Sequence, residues 1–564
     1  MQSGNEKILP MRKDHALLKK QAQRYADQEK LEQAASCAVK AVRADYSDRE
    51  SRYLLAQIYR MMERFRRSND ILATLTAQRS QDEADYWYMM GCNYADMQML
   101  GSARDCLRMC LAMEPDPVTQ EDAEDLLEPL REYYEGDEED RTMWLLQQTA
   151  RRGARLLEAH RLEEAAAVLR YVDMVEPLFM DTRNYYSRLL WRTGSKKDAV
   201  SASEWVLARY PKDVYALCNL AFYAYSDGDA ASCSKYLKRL TALSFDRDME
   251  AADDLLEVAR TLYRCGEYSQ ALEYARRYRA LCRYEEEGMH LEAATRFMLG
   301  QTADAQKIWT QMCRIDDMDA AADYYRRVCI RRLKQGDGPV ERIPCRHGLE
   351  KETLRKLIRR YVPIPGSKAE TAGAANDPAV LALLYESISR GIMMDEVLPV
   401  VAADRSEETL DILYGMLMRD VSTVDQIRWL CAAVQMRCGD TACFVDHEDA
   451  VNSIMLKGTR PVPSQRERDL MAVRALFFAG TEGVLSAKER KEALVLLREF
   501  SGRLHRWYPV HSPEAFAAAL EYYYCTRTGA DADKHLCIKR YGTDTKNFNQ
   551  ALARLVRVLA RPEE

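Results

Sequence analysis

Residues 87–115, WYMMGCNYADMQMLGSARDCLRMCLAMEP, decide how this chain is read. Trp87, Met90, Gly91 and Tyr94 fall at helical spacing, and so do Ala103, Leu107 and Cys110 after them. Small residues at Gly91 and Ala103 let two antiparallel helices approach closely, and Trp87 and Tyr94 fill the gap to a neighbouring unit. Pro115 blocks further helix. The pattern then recurs along the chain. Ala22 and Tyr25 return 34 residues later as Ala56 and Tyr59, with second helices carrying Ala34, Ala38 and Ala41, then Ser68, Leu72 and Leu75. After a break, Ala165, Leu169, Val172 and Pro177 return as Ala199, Ser203, Val206 and Pro211, and Gly194 as Gly228. Gly266 with Ala271 returns as Gly300 with Ala305. A fixed period of this length marks a solenoid, and about eight units fit between residue 14 and residue 335 or so.

Composition agrees. Gly and Pro number only 24 and 17 in 564 residues, and Ala, Leu, Arg, Glu, Gln and Met dominate, the residues that lose least on entering a helix. A formal charge of −6 is small for this length and excludes a wholesale polyanion binder, while leaving room for a local basic patch. The start, MQSGNEKILPMRKDH, lacks a signal-type apolar core, and no stretch reaches the roughly 18 apolar residues of a membrane span. The sixteen Cys are scattered singly, without a CxxC pair, as expected in a reducing interior. We therefore expect a cytoplasmic, all-α protein with no membrane contact.

The spacing W-x2-M-G-x2-Y, then Ala103, Leu107, Cys110 and Pro115, resembles the tetratricopeptide repeat over about three-fifths of the chain. Most units lack the Trp and several lack the Pro, so the copies are degenerate. The resemblance implies a superhelix whose concave groove takes a peptide or protein partner, and hence a scaffold and not an enzyme. Its signature residues here, Trp87, Gly91, Tyr94, Ala103, Pro115, Ala165, Pro177, Ala199, Pro211, Gly228, Gly266, Ala271, Gly300 and Ala305, are read as structural.

Around the repeats the sequence divides as a tail (1–13), a first repeat block (14–117), an acidic insertion (118–142), a second block (143–335) and a linker with one short helix (336–377). An irregular or HEAT-like helical region (378–505) and a C-terminal helical unit (506–564) follow. In the last, DADKHLCIKRYGTDTKNFNQALARLVRVLA resembles a helix-turn-helix, with Gly542 at the turn and Phe548, Leu552 and Leu555 on the buried face of the second helix. That resemblance implies DNA contact through Lys546, Asn547, Asn549, Gln550 and Arg554. Ile538 and Thr543 depart from the motif, and a plain capping helix is the competing reading.

Chemistry-bearing motifs are sparse. GxxxxGK[ST], GxSxG and HExxH are absent. Cys438, Cys443 and His447 have the spacing of three metal ligands but want a fourth, so core packing is the simpler account and no metal or cofactor is expected. Cys345 and His347 form an isolated pair in the linker, and His160, His290 and His505 are expected at surfaces or boundaries.

Overall fold

The computed structural model describes residues 15–77, 83–135, 138–159, 161–175, 180–245, 251–336, 342–362, 377–404, 406–419, 424–439, 441–447, 450–456, 473–474, 476–477, 480–481, 484–503, 512–530 and 532–559. The chain is an all-α solenoid with one small hairpin among the described residues, and it forms two compact units that interleave along the sequence. The first comprises Met1–Arg141, Ser203–Ser422 and Trp429–Thr459, and the second Thr142–Ala202, Thr423–Arg428 and Arg460–Glu564. The second repeat block is therefore divided: residues 142–202 group with the C-terminal region.

The first block is three helix pairs: α1 (His15–Asp27) with α2 (Leu31–Ala44), α3 (Arg49–Met61) with α4 (Phe65–Ala77), and α5 (Glu83–Asp96) with α6 (Leu100–Ala112). Then come α7 (Pro117–Glu135) and α8 (Glu138–Glu158), so most of the acidic run is helical. Next are α9 (Leu162–Val175), α10 (Met180–Arg192) and α11 (Lys196–Arg209). Three further pairs follow: α12 (Val214–Ser226) with α13 (Ala230–Thr241), α14 (Ala252–Arg264) with α15 (Tyr268–Leu281), and α16 (Glu286–Met298) with α17 (Thr302–Ile315). Beyond them lie α18 (Ala320–Gln335), α19 (Lys351–Tyr361), α20 (Pro378–Ser389), α21 (Met394–Ala403), α22 (Glu407–Leu417) and α23 (Val424–Cys438). Strands β1 (Thr441–Asp446) and β2 (Val451–Leu456) pair antiparallel, Thr441 opposite Leu456. The tail holds α24 (Ala487–Arg503), α25 (Pro513–Thr528), α26 (Lys534–Tyr541) and α27 (Thr545–Leu559).

Two kinds of turn close these pairs. In the second block the turn position is Gly194, Gly228, Gly266 or Gly300, each in the left-handed region that costs glycine little. The first block uses Glu29, Glu63 and Gln98 at the corresponding places, with φ between 57° and 60°. Those residues bear a strain of about 1–2 kcal/mol each that no glycine reports in the sequence. Helix starts are capped by side chains where the chain allows it: Asp48, Asp213, Asp229 and Asp319 each accept from the backbone N–H three residues on.

In the first unit, helices α12, α14 and α16 touch in succession, as expected of the tighter inner row of a superhelix. The first block closes against the other end of this array. The Tyr59 hydroxyl donates to the Ile315 carbonyl (3.2 Å), Arg67 pairs with Asp316 (2.7 Å), and Arg64 donates to the Tyr284 carbonyl (3.0 Å). The region past 377 packs onto that block as well. Helix α22 lies on α4 so closely that a Cβ on Gly415 would sit 2.9 Å from Asp70. The hairpin, which periodicity did not reveal, seats Phe444 edge-on against Trp87 at 4.6 Å. Asp446 accepts from the Ser102 hydroxyl at 2.9 Å.

In the second unit, α9 packs with α10, and α25 packs against α24, α26 and α27 around Phe477, Phe500, Phe516 and Phe548.

Candidate peptide-binding face

The inner row of α14, α16 and α18 is covered by an irregular stretch of the same chain, residues 342–349, RIPCRHGL, which bends over 345–348. Its direction is notable. After α18 ends at Gln335, the chain reappears beside α14, two pairs back, and retraces the row. The Arg342 guanidinium donates to the Tyr263 and Arg264 carbonyls at the end of α14, both at 2.8 Å, where the helix dipole favours a cation. The Tyr263 hydroxyl donates to the Ile343 carbonyl. On α16, His290 Nε2 donates to the Pro344 carbonyl at 2.9 Å, while its Nδ1 accepts from the Trp309 indole at 3.4 Å. Glu287 accepts from the His347 backbone N–H at 3.2 Å. On α18, Asp319 holds His347 Nε2 at 2.9 Å, and the Tyr325 hydroxyl donates to the Gly348 carbonyl at 3.4 Å. Ile343 and Leu349 are buried, and the Leu349 N–H ends on Glu386 of α20 at 2.9 Å.

Three row side chains thus grip main-chain carbonyls, a contact any sequence can make, and two carboxylates select charge. Burial alone would push the Glu287 carboxyl up, but Arg260, His347 and Arg346 outweigh it and hold it at about 2. Burial likewise opposes the ionisation of Asp319, and His347 overcomes it, leaving the carboxyl at about 2. His347 is the mirror case: burial works downward, Asp319 wins, and the imidazolium persists to about 10. Burial depresses His290 to about 4, with the His347 cation adding to the effect, so it sits neutral as a carbonyl donor.

The placement of His290 corrects the expectation of a surface residue. It is fully buried beside the stacked Trp309 and Tyr325 rings, with centroids at 6.0 and 5.3 Å, because its polar edge is matched on both nitrogens. His160 and His505 lie outside the described residues. The pairing of His347 with Asp319 spans 28 residues and leaves no periodic trace; a basic, proline-containing stretch with few helix formers was the available signal.

Of the signature residues, Trp87, Tyr94, Ala103, Ala165, Ala199, Ala271 and Ala305 are buried. Leu107 fills the space a Cβ on Gly91 would take, at 2.8 Å, while Gly228, Gly266 and Gly300 make the left-handed turns. Pro115 and Pro211 lie between helices, and Pro177 is outside the described residues. The same close approach recurs at Gly153 against Leu169 and at Gly288 against Tyr278, two positions periodicity alone did not single out.

In the tail, Gly542 makes the turn between α26 and α27 in the left-handed region, and Phe548 and Leu555 are buried while Leu552 is half-buried. Lys546, Asn549 and Gln550 are exposed and Arg554 half-buried; Asn547 is exposed, and its amide donates to Asp544 at 2.6 Å. Cys438 is exposed at the end of α23, Cys443 is buried on β1, and His447 follows that strand. Among the described residues no cluster of three or more His, Cys, Asp or Glu could hold a metal ion, and no helix is long and apolar enough to cross a membrane.

Paired antiparallel helices at a 34-residue period, joined by left-handed turns and stacked by small-residue contacts, define a tetratricopeptide-type repeat protein. Among curated proteins, the chain is similar to the TPR repeat-containing protein YvcD of Bacillus subtilis (strain 168), 26% identical over 236 residues. That match covers 41% of this chain and 48% of the relative, so the chain spans about half the length of the curated relative it matches. No family model matches. Among solved structures it is similar to the P58(IPK) TPR domain, at 16% identity and a TM-score of 0.24 over 66% of this chain and 99% of that one. The APC/C hetero-tetramer Cut9-Hcn1 gives 11% and 0.26 over 97% of each chain. The TPR2AB-domain:pHSP90 complex of yeast Sti1 gives 12% and 0.20 over 53% and 98%.

Proposed function

We propose that this protein is an interaction scaffold that holds a partner polypeptide along the inner row of α14, α16 and α18. One observation carries the reading: the row already grips a non-helical stretch of chain by its carbonyls, through Tyr263, His290 and Tyr325. Side chains that bond main chain tolerate varied sequence, and a superhelical row offers them at regular intervals. A catalytic role has no comparable support, since Glu287 is paired with Arg260, Asp319 with His347, and His290 is bonded on both ring nitrogens. The test compares partner capture by the full chain, a Tyr263→Phe/Tyr325→Phe variant, and a control substituted at exposed Lys307 on α17. Loss of the partner from the inner-row variant alone is expected. Equal capture by all three would refute the assignment.

A second reading rests on the tail. The exposed Lys546, Asn549 and Gln550 open the second helix of a helix-turn-helix-like unit, where a recognition helix would meet base edges. Random duplex DNA titrated with the full chain across a salt series tests it. Binding that weakens steeply with salt, with a shallower slope for Lys546→Ala, supports DNA contact, and no binding at low salt removes it.

A further inference from the structure

A connection from α18 to α19 has no need to visit α14. Residues 342–349 nonetheless start at the end of α14 and pass α16 and α18 in turn, presenting carbonyls and the His347 N–H to the row and the His347 cation to Asp319. That is how a bound peptide lies, and only five residues, 337–341, tether it to the preceding described residue. We propose that 342–349 is an intramolecular occupant of the peptide-binding face, and that the partner displacing it is a basic peptide segment without regular secondary structure. The proposal rests on the scaffold reading above and adds what the site selects and how it is kept closed.

The chemistry of the face determines the partner's character. Ile343 is a buried aliphatic anchor near the start of the occupant, and Leu349, buried at its other end, is bonded to Glu386 of α20. Between them, Asp319 and Glu287 take a cation and a backbone N–H three residues past a proline carbonyl. An acidic segment would set carboxylates against Glu287 and Asp319 and lose both the ion pair and the Arg342 contact at the α14 terminus. A left-handed glycine, Gly348 (φ 120°), carries the chain away from the face, and a Cβ there would meet Glu386 Oε1 at 3.1 Å. The segment's exit is thus built in, while its hold on the row rests on side-chain bonds that a competitor can replace one by one.

Tethering makes the closed state strong without tight intrinsic binding. A short tether presents its segment at about millimolar effective concentration, so a competitor of micromolar intrinsic affinity is weakened roughly 100- to 1,000-fold. The experiment uses the full chain and a labelled peptide of sequence RIPCRHGL. Wild type should bind it weakly. An Arg342→Ala/His347→Ala chain, which frees the face, should bind about 100-fold tighter, and adding Asp319→Asn should remove the gain. A peptide with Glu at the two Arg positions and the His should fail to bind.

Equal binding of both peptides by the freed chain would overturn the basic-partner assignment. No gain in the freed chain would overturn self-occupancy, provided its circular dichroism matches wild type. Hydrogen exchange on the wild type provides a measure independent of any variant. The bonded amides of His347 and Leu349 should open at least tenfold more often than those of α16, and exchange only with global unfolding would contradict a displaceable segment. Should these fail while partner capture still depends on Tyr263 and Tyr325, self-occupancy falls and the scaffold reading stands.

Discussion

Replacing Asp70 by Ala should loosen the packing of α22 on α4 while leaving the helix pairs intact. Asp70 is 4% exposed at the centre of a charge cluster drawn from distant parts of the first unit. It accepts from the Tyr385 hydroxyl at 2.6 Å, from Arg419 at 2.8 and 3.1 Å, and from Arg67 at 3.2 Å. Burial would raise its carboxyl, but Arg419 and Arg67 outweigh burial and hold it below the usual carboxylate range. In the Ala variant Arg67 keeps Asp316 at 2.7 Å, whereas Arg419, only 19% exposed, loses its carboxylate. Breaking a buried pair from one side costs about 3–5 kcal/mol, or roughly two to three and a half decades in an opening equilibrium. Hydrogen exchange of α22 amides near pH 7 should accelerate by that factor, with α12–α15 unchanged. Because the folded carboxyl titrates below its unfolded value, its contribution is present above the ordinary carboxylate pKa and lost as pH falls below it. The difference between variant and wild type should shrink in acid. The Asp70→Ala/Arg419→Ala double variant should cost less than the sum of the single changes, since it leaves no orphaned cation. An acceleration under tenfold, or strict additivity, would show that the cluster does not join α22 to α4.

Other predictions concern the same forces elsewhere. His347 titrates at about 10 when folded, so its stabilisation is complete below about 6.5, its ordinary pKa, and is lost as pH rises from there through 10. His290 titrates at about 4, so its burial is favourable above about 6.5 and costs stability as pH falls from there to 4. Urea midpoints should decline on both sides, His347→Gln flattening the alkaline limb and His290→Gln the acid one. At the turns, Gly228→Ala should cost about 1–2 kcal/mol, while Glu63→Gly should be neutral or stabilise by up to about 1 kcal/mol as left-handed strain is relieved against added unfolded-state freedom. Gly288→Ala, whose Cβ would come within 2.4 Å of the Tyr278 ring, should cost about 1–3 kcal/mol in chemical denaturation. In the tail, Phe548→Ala should cost about 3–5 kcal/mol and exposed Lys546→Ala less than about 0.5, read as urea midpoints of the second unit.

The primary sequence by itself determined the repeats. A helix pair is a local object: its period, its small-residue contacts such as Gly91 on Leu107, and its glycine turns all lie within one 34-residue unit and leave a periodic record. The turns at Glu29, Glu63 and Gln98 escaped because a strained non-glycine residue looks ordinary in a sequence. What only the tertiary structure decided is how the inner row is filled. The contacts of 342–349 with Tyr263, His290 and Asp319 reach across 80, 54 and 28 residues, and the Asp70–Arg419 pair across 349. No spacing rule links such partners, because single ion pairs and carbonyl contacts recur with no period. Thus the helix pairs expected from the repeats are present, but the seating of the chain's own basic segment on α14, α16 and α18 follows from the folded arrangement of charges, not from the repeat pattern.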